Sequence, residues 1–438
     1  MTHRSRVGNL RIPLAVAALL LLASCGPRIH VAPIQRPGED DFDVITSFQI
    51  RDGQALNRQQ TPLPAGAYRF GFFVRPRPGS RPLPGAHEKI HPALLRRLAL
   101  GPSTATEEVV VTFEDTLRIP RFSTFGPRAA MGLTPADTTA MRDSTQTLIR
   151  QIRHTRTLEL AADSAAMESR FGAVVLDNSF WLTRTMVIRI PRNSVLALAT
   201  SPGVVYVRPA GPTEPPPGMN SSTLDNPDRV RLWVRADPYY VTQLQRGDLA
   251  LLDTGVNSDH EMLSNNGQFG VRADAVNLDA NGRPRVLDPY ADLSPAPGHG
   301  TMSAGIINGQ KTPADEASHG LTKIMIDSYR IYALSTANSA GQPGLVGGAL
   351  THALEQNFLS FGGVITIEAQ AEEPHDGGIS LAADQAFDGG AVIVAANGNI
   401  DRGTPPLQVR APANARRVLG IGAYSVSFGI SAVEQIPG

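Results

Sequence analysis

The chain has a single cysteine, Cys25, in 438 residues, which excludes any intrachain disulfide. It has no surplus of either charge: 40 basic and 40 acidic side chains cancel. With no basic excess, nothing points to nucleic acid as a partner, and with no acidic excess nothing points to a cationic one. Aromatic residues are sparse at 6%, and no His, Cys, Asp or Glu grouping reaches a usable metal-ligand spacing. No apolar run is long enough for a comfortable transmembrane helix. What is present suits globular structure, with 42% hydrophobic and 18% charged residues. The 35 prolines and 41 glycines gather in linkers and turns, so a chain of this length is expected to hold several connected units.

The first unit is a leader. Arg4, Arg6 and Arg11 precede an apolar run from Ile12 to Leu22, which ends in Leu22-Ala23-Ser24-Cys25. A basic start, a short apolar stretch and small residues before a cut describe a secretory signal peptide, residues 1–24. The ending resembles the lipobox of bacterial lipoproteins. That resemblance implies lipidation of Cys25 and a lipid-anchored, extracytoplasmic place in a bacterial cell envelope, with the membrane as partner through Cys25.

Residues 25–103 are rich in proline and arginine, as in Arg75-Pro76-Arg77-Pro78, with a strand-like patch at Tyr68–Val74. They read as a tether or a small extra region. Residues 104–210 are patterned as a small α+β domain. Strands are expected at Glu107–Phe113, Phe180–Ile190 and Val204–Val207. A long helix is expected over Pro135–Phe171 and a short one over Asn193–Thr200. Residues 211–228, with Pro215-Pro216-Pro217-Gly218, read as an exposed linker where a precursor would be cut. From residue 229 to 438, short apolar runs alternate with helical stretches. The runs are Asp248–Leu252, Arg330–Leu334, Gly363–Ile367, Ala391–Ala395 and Val418–Ile421; the helices are expected near His299–Ile307, Leu345–Phe358 and Ile379–Phe387. That alternation predicts an α/β domain with a mostly parallel sheet covered by helices on both faces. Ligands on such sheets sit at the carboxyl ends of strands.

Asp253-Thr254-Gly255 follows the run Leu249–Leu252 directly, so a carboxylate is expected at that end. Alone, the tripeptide fits a turn, an aspartic-protease signature or the first motif of a subtilase. An aspartic protease needs two such carboxylates sharing a proton, and no second Asp-Thr-Gly or Asp-Ser-Gly is present. The segment Pro297-Gly298-His299-Gly300-Thr301-Met302-Ser303-Ala304-Gly305 places a histidine at the start of a helix. Such a histidine serves as a general base when a carboxylate orients it. These residues closely resemble the subtilase histidine motif, and Asp253 precedes His299 in the order that subtilisin-type enzymes use. Asp253 through His260 extends the likeness, with His260 expected to be structural.

Ala391–Asn399 resembles the buried subtilase strand whose terminal asparagine donates to the oxyanion, which selects Asn399 over Asn397. Ala411-Pro412-Ala413 and Val418–Ala423 add two further matches, so the resemblance covers about residues 229–425. It implies a subtilisin-like (peptidase S8) serine endopeptidase acting on peptide or protein substrates, with Asp253 and His299 catalytic and Asn399 the oxyanion donor. It also implies that residues 104–210, ending in Pro202-Gly203-Val204-Val205-Tyr206-Val207, resemble a subtilisin propeptide; a generic α+β domain is the other reading. Calcium is implied by family resemblance only, with no site placed. Two departures stand out. Where subtilases carry Ser-Leu-Gly on the strand lining the substrate's first pocket, the comparable stretch here is Val364–Gln370, which carries Glu368. In addition, only residues 400–438 follow Asn399, whereas the family's Gly-Thr-Ser-Met-Ala follows by roughly sixty or more. Ser431 comes too early and lacks the preceding Ala-Pro-Gly. The expectation is therefore a nucleophile beyond Gly438 and a chain inactive as it stands. The alternatives are a non-catalytic peptide-binding surface lipoprotein and an aspartic-type protease.

Overall fold

The computed structural model describes residues 42–45, 49–51, 54–56, 67–69, 72–76, 89–100, 104–122, 133–211, 248–264, 269–280, 282–286, 292, 298–310, 319–334, 343–398 and 409–422. The chain divides into two compact units, residues 1–82 and 83–438. In the first, β1 (Phe42–Ile45), β5 (Phe72–Pro76) and β4 (Ala67–Arg69) make a three-stranded antiparallel sheet. There, β2 (Gln49–Arg51) and β3 (Gln54–Leu56) pair as a hairpin.

The second unit opens with α1 (Pro92–Leu100) and β6 (Thr106–Phe113). The expected long helix is α2, Pro135–Phe171, and its ends explain its length. Thr134 and Asp137 form a reciprocal capping box, Pro135 stands in the first turn, and Gly172 closes the helix at φ 62°. Then come β7 (Val174–Asp177), β8 (Thr185–Pro191), α3 (Arg192–Ala199) and β9 (Val204–Pro209). The four strands form an antiparallel sheet in the order β7-β8-β6-β9. The strand expected from Phe180 starts only at Thr185. Trp181 and Leu182 instead leave the sheet and are buried in the core of the following half, while Phe180 packs on Val110, Val187 and Ala210 and stacks on His352. Ile90, just before α1, and Leu94 within it lie in the same core as β6 and β8.

The following half holds β10 (Asp248–Asp253), β11 (Phe269–Leu278), β12 (Pro284–Val286), α4 (His299–Asn308), β13 (Met325–Arg330) and β14 (Tyr332–Leu334). These are followed by β15 (Pro343–Leu345), α5 (Ala349–Ser360), β16 (Val364–Ile367), α6 (Gly378–Gly389), β17 (Val392–Ala396) and β18 (Leu419–Ile421). Seven strands make one sheet in the order β12-β11-β13-β10-β16-β17-β18, all parallel except the edge strand β12. The expected α/β class with a largely parallel sheet holds. One strand was misplaced: the sheet takes Met325–Arg330, while Tyr332–Leu334 turns away to pair with β15. Asp327 and Ser328 are buried in β13, so it lacks the apolar run that marks its neighbours.

Central β10 shows why both sheet faces are covered. Ala250 and Leu252 face the cluster built with α5 and α6, and Leu251 faces Val256, Ala304 and Ile326 on the α4 side. A fully buried leucine contributes roughly 2–3 kcal/mol. The order also places a reversal at β10. The chain lays β11 and β13 on one side of it and β16, β17 and β18 on the other, and crevices open at such switch points.

Helix α2 ties the two halves together. Ile149 and Ile152 belong to the core that includes Trp181 and Phe358, whereas Leu160, Met167 and Phe171 belong to the core of the antiparallel sheet. Between them Arg156 is fully buried and bonds Asp115 and Glu159, so its charge is met on both sides. Backbone bonds cross as well, Gly347 N–H to Ala210 O at 2.8 Å and Phe122 N–H to Gly389 O at 2.8 Å.

Candidate active site

Asp253 is the last residue of β10 and is 1% exposed. Its carbonyl accepts from Ile331 N–H at 2.9 Å, and its carboxylate accepts from Thr254 N–H at 2.6 Å. His299 is the first residue of α4, after Gly298 at φ 48°. The two side chains meet: His299 Nδ1 lies 2.8 Å from Oδ1 and 3.0 Å from Oδ2 of Asp253. A carboxylate accepts, so Nδ1 carries the proton and Nε2 is left with the basic lone pair. Among the described residues, no side chain is hydrogen-bonded to Nε2.

The sequence motif around His299 records a steric demand. A Cβ at Gly300 would lie 2.0 Å from the Gly255 carbonyl oxygen and 3.2 Å from Asp253 Cγ. Only glycine lets the first turn of α4 approach the turn after β10 this closely. Gly300 N–H donates to Thr254 Oγ1 at 3.0 Å, which fixes that approach.

Asp292 was not singled out from the sequence, yet it clamps the same junction. It accepts from Thr254 Oγ1 at 2.8 Å, from Thr301 N–H at 3.0 Å, and from Thr301 Oγ1. Thr301 Oγ1 in turn accepts from Asn257 N–H at 2.9 Å. One carboxylate therefore ties the turn that follows Asp253 to the helix that begins with His299. Asp292 lies in a bend outside the named helices and strands, where no periodicity marks a functional side chain.

The electrostatics follow from this packing. Burial of the His299 ring opposes its charged form, but the hydrogen bond and charge of Asp253 outweigh it. Glu368 and Asp292 add to that, and the imidazole is held above its ordinary value. Burial pushes the Asp292 carboxyl up against the bonds from Thr301 and Thr254. Burial also pushes Glu368 up; the charge of Asp253 adds to this and His299 opposes it.

His260 is exposed, and its Nδ1 accepts from Met262 N–H at 3.3 Å within a turn, the structural place expected of it. Asn397 is held by the sheet end, its N–H donating to Ile421 O at 2.9 Å and its carbonyl accepting from Arg410 N–H at 2.8 Å. Asn399, Cys25 and Ser431 lie outside the described residues. Among the described residues there is no His, Cys, Asp or Glu group able to hold a metal ion, and no helix long and apolar enough to cross a membrane.

Residues 248–432 match the model of the subtilase family. No curated protein matches the chain. Among solved structures, the chain is similar to a mutant of the epidermin leader peptide processing serine protease of Staphylococcus aureus. Identity there is 15%, over 72% of this chain and 70% of that one, with a TM-score of 0.44. It is similar to MycP1 from Mycobacterium smegmatis at 21% identity, over 49% of this chain and 62% of that one, TM-score 0.32. It is also similar to the psychrophilic subtilisin-like protease Apa1 of Pseudoalteromonas sp. AS-11, at 19% identity over 44% of this chain and 40% of that one, TM-score 0.34.

Proposed function

We propose that this chain is the precursor of an extracytoplasmic serine endopeptidase, anchored to the cell envelope through a lipid on Cys25. The observation that carries the catalytic part is the Asp253–His299 hydrogen bond, made at the carboxyl end of the central parallel strand by a residue of β10 and the first residue of α4. In this reading a serine hydroxyl attacks the peptide carbonyl and gives its proton to His299 Nε2. Asp253 holds the ring in the required tautomer and stabilises the imidazolium. The Asn399 amide donates to the developing oxyanion, a contribution of roughly 3–4 kcal/mol to the barrier. The imidazolium then protonates the leaving amine, and water releases the acyl group by the same steps in reverse. Residues 104–210 would act as the propeptide, and they support that role by burying Trp181, Leu182 and Phe122 in one core with α5 and α6. Asp253 bonds to an imidazole rather than to a second carboxylate, so the aspartic-type reading gains no support from its geometry.

The test is to produce the protein from the intact gene and treat it with a serine-directed phosphonate. Mass analysis of the labelled peptide should identify one serine, and His299→Ala should abolish both label and peptide hydrolysis. A protein that neither labels nor hydrolyses any peptide of a broad library would sink the enzyme reading. The second reading is a lipoprotein that binds peptides without cleaving them. It predicts peptide binding without turnover in the same preparation. The anchor predicts palmitate labelling of the protein that Cys25→Ser removes.

A further inference from the structure

We propose that Glu368 is the specificity-determining carboxylate of the cleft beside His299, and that it selects peptides presenting a lysine or arginine side chain there. The proposal rests on the peptide-binding site described above. Its first support is register. β10 and β16 run parallel with Leu252 opposite Ile367, and Glu368 N–H donates to Leu252 O at 3.0 Å. The pairing thus continues one residue past the end of β16 and sets Glu368 beside Asp253. Side chains at neighbouring register positions of a parallel pair project to the same face. Ile367 and Ala369 both turn into the core shared with α5 and α6, so Glu368 between them turns to the opposite face, where Asp253 meets His299.

Its second support is how firmly the residue is held. The Glu368 carbonyl accepts from the hydroxyl of buried Tyr332 at 3.1 Å, while its N–H is bound to β10. The backbone is therefore fixed on both sides and the half-buried side chain is presented from a rigid strand end, at the point where the strand order reverses. Its third support is an unmet charge. Among the described residues the Glu368 carboxylate has no hydrogen bond and no ion pair. The His299 imidazole is bound to Asp253, and Arg410 lies 3.6 Å from Glu372 instead. A half-buried carboxylate with a second carboxylate beside it is poorly solvated and repelled. A substrate ammonium or guanidinium satisfies it. An apolar side chain would strip its water and offer nothing in return, and a site of that kind rejects the wrong ligand by two orders of magnitude or more.

Isothermal titration with benzamidinium and its neutral analogue benzamide, at pH 7.5, tests this on the whole 438-residue chain without needing turnover. The wild type is expected to bind benzamidinium about tenfold or more tighter than benzamide. Glu368→Gln should remove the difference, and Glu368→Asp should keep it in weakened form. Benzamidinium binding no tighter than benzamide, or binding unchanged in Glu368→Gln, would overturn the proposal. Failure of the peptidase reading appears separately, as absent labelling and hydrolysis with the cation preference intact.

Discussion

His352 offers a sharp test of what joins residues 89–211 to the parallel-sheet half. It lies in α5, with its side chain 5% exposed and Nε2 2.7 Å from Asp177 Oδ2 on the other half. Nδ1 is 3.6 Å from Glu355 of its own helix, and the Phe180 ring stacks on it at 4.4 Å. Glu355 also accepts the backbone N–H groups of Trp181 and Leu182. Burial opposes the imidazolium, but the hydrogen bonds and charges of Asp177 and Glu355 win, and the ring is raised from 6.5 to about 9. A rise of that size corresponds to about 3 kcal/mol of stability.

The sign follows from linkage. Because the folded value is the higher one, the contribution is fully present below pH 6.5 and is lost as pH rises through about 9. On the partner's side, burial of Asp177 opposes ionisation, but His352 and Ser179 outweigh it and hold the carboxyl below 3.8. That is the same pair seen from its other end, so it is counted once; it sets the acid limit below the ordinary carboxylate range. His352→Gln removes the charge and keeps a donor. In urea unfolding followed by the fluorescence of buried Trp181, it should cost about 3 kcal/mol at pH 6 and little at pH 10. An equal loss at both pH values would refute the electrostatic account and assign the effect to the stacking with Phe180.

Two further outcomes concern the site. Gly300→Ala puts a methyl 2.0 Å from the Gly255 carbonyl oxygen, so the turn and the helix must part. The expected result is a loss of about 2–4 kcal/mol in thermal unfolding and disappearance of the low-field His299 Nδ1 proton in NMR; an unchanged proton signal would contradict the packing argument. Asp292→Asn turns one acceptor oxygen into a donor facing Thr301 N–H and removes a negative charge near His299. NMR titration of His299 should show its pKa lowered in the variant. Since the Asp292 charge supports the imidazolium, an unchanged titration would leave Asp292 a purely mechanical role.

The residues legible in the sequence are those whose cause is local. The span of α2 is read from the helical spacing of Pro135–Phe171, and its ends fall where Thr134, Asp137 and Gly172 satisfy the helix's own terminal donors and acceptors within a few residues. Gly300 is read from the motif because the close approach to Gly255 permits no other residue. The strand β10 is read because both its faces are apolar. Failures begin where a polar side chain is buried against a partner far along the chain. Asp327 in β13 takes Val271 N–H at 2.6 Å, and that polar burial hid the strand. Arg208 of β9 meets Glu373 beyond β16 at 3.1 Å, both buried, and neither position carries any periodic signal. His352 and Asp177 are 175 residues apart.

These unread contacts are not scattered, and their grouping says how the second unit is built. Helix α5 is buried nearly all round, with Leu350, Ala353, Leu354 and Phe358 in the core beside the parallel sheet, and His352 and Glu355 meeting residues 177–182. A helix lying on a solvated surface would show one polar face; α5 shows polar residues on a face that is also covered. The apolar pattern therefore reports the contact with its own sheet, and the charged residues report the contact with the antiparallel half. Arg208–Glu373 repeats the theme at the same junction. Removing one member of such a pair leaves a buried charge unmet, typically at about 3–5 kcal/mol. The two halves are thus held by matched buried charges as well as by shared apolar core, and a break in the connecting chain between them would not by itself part them.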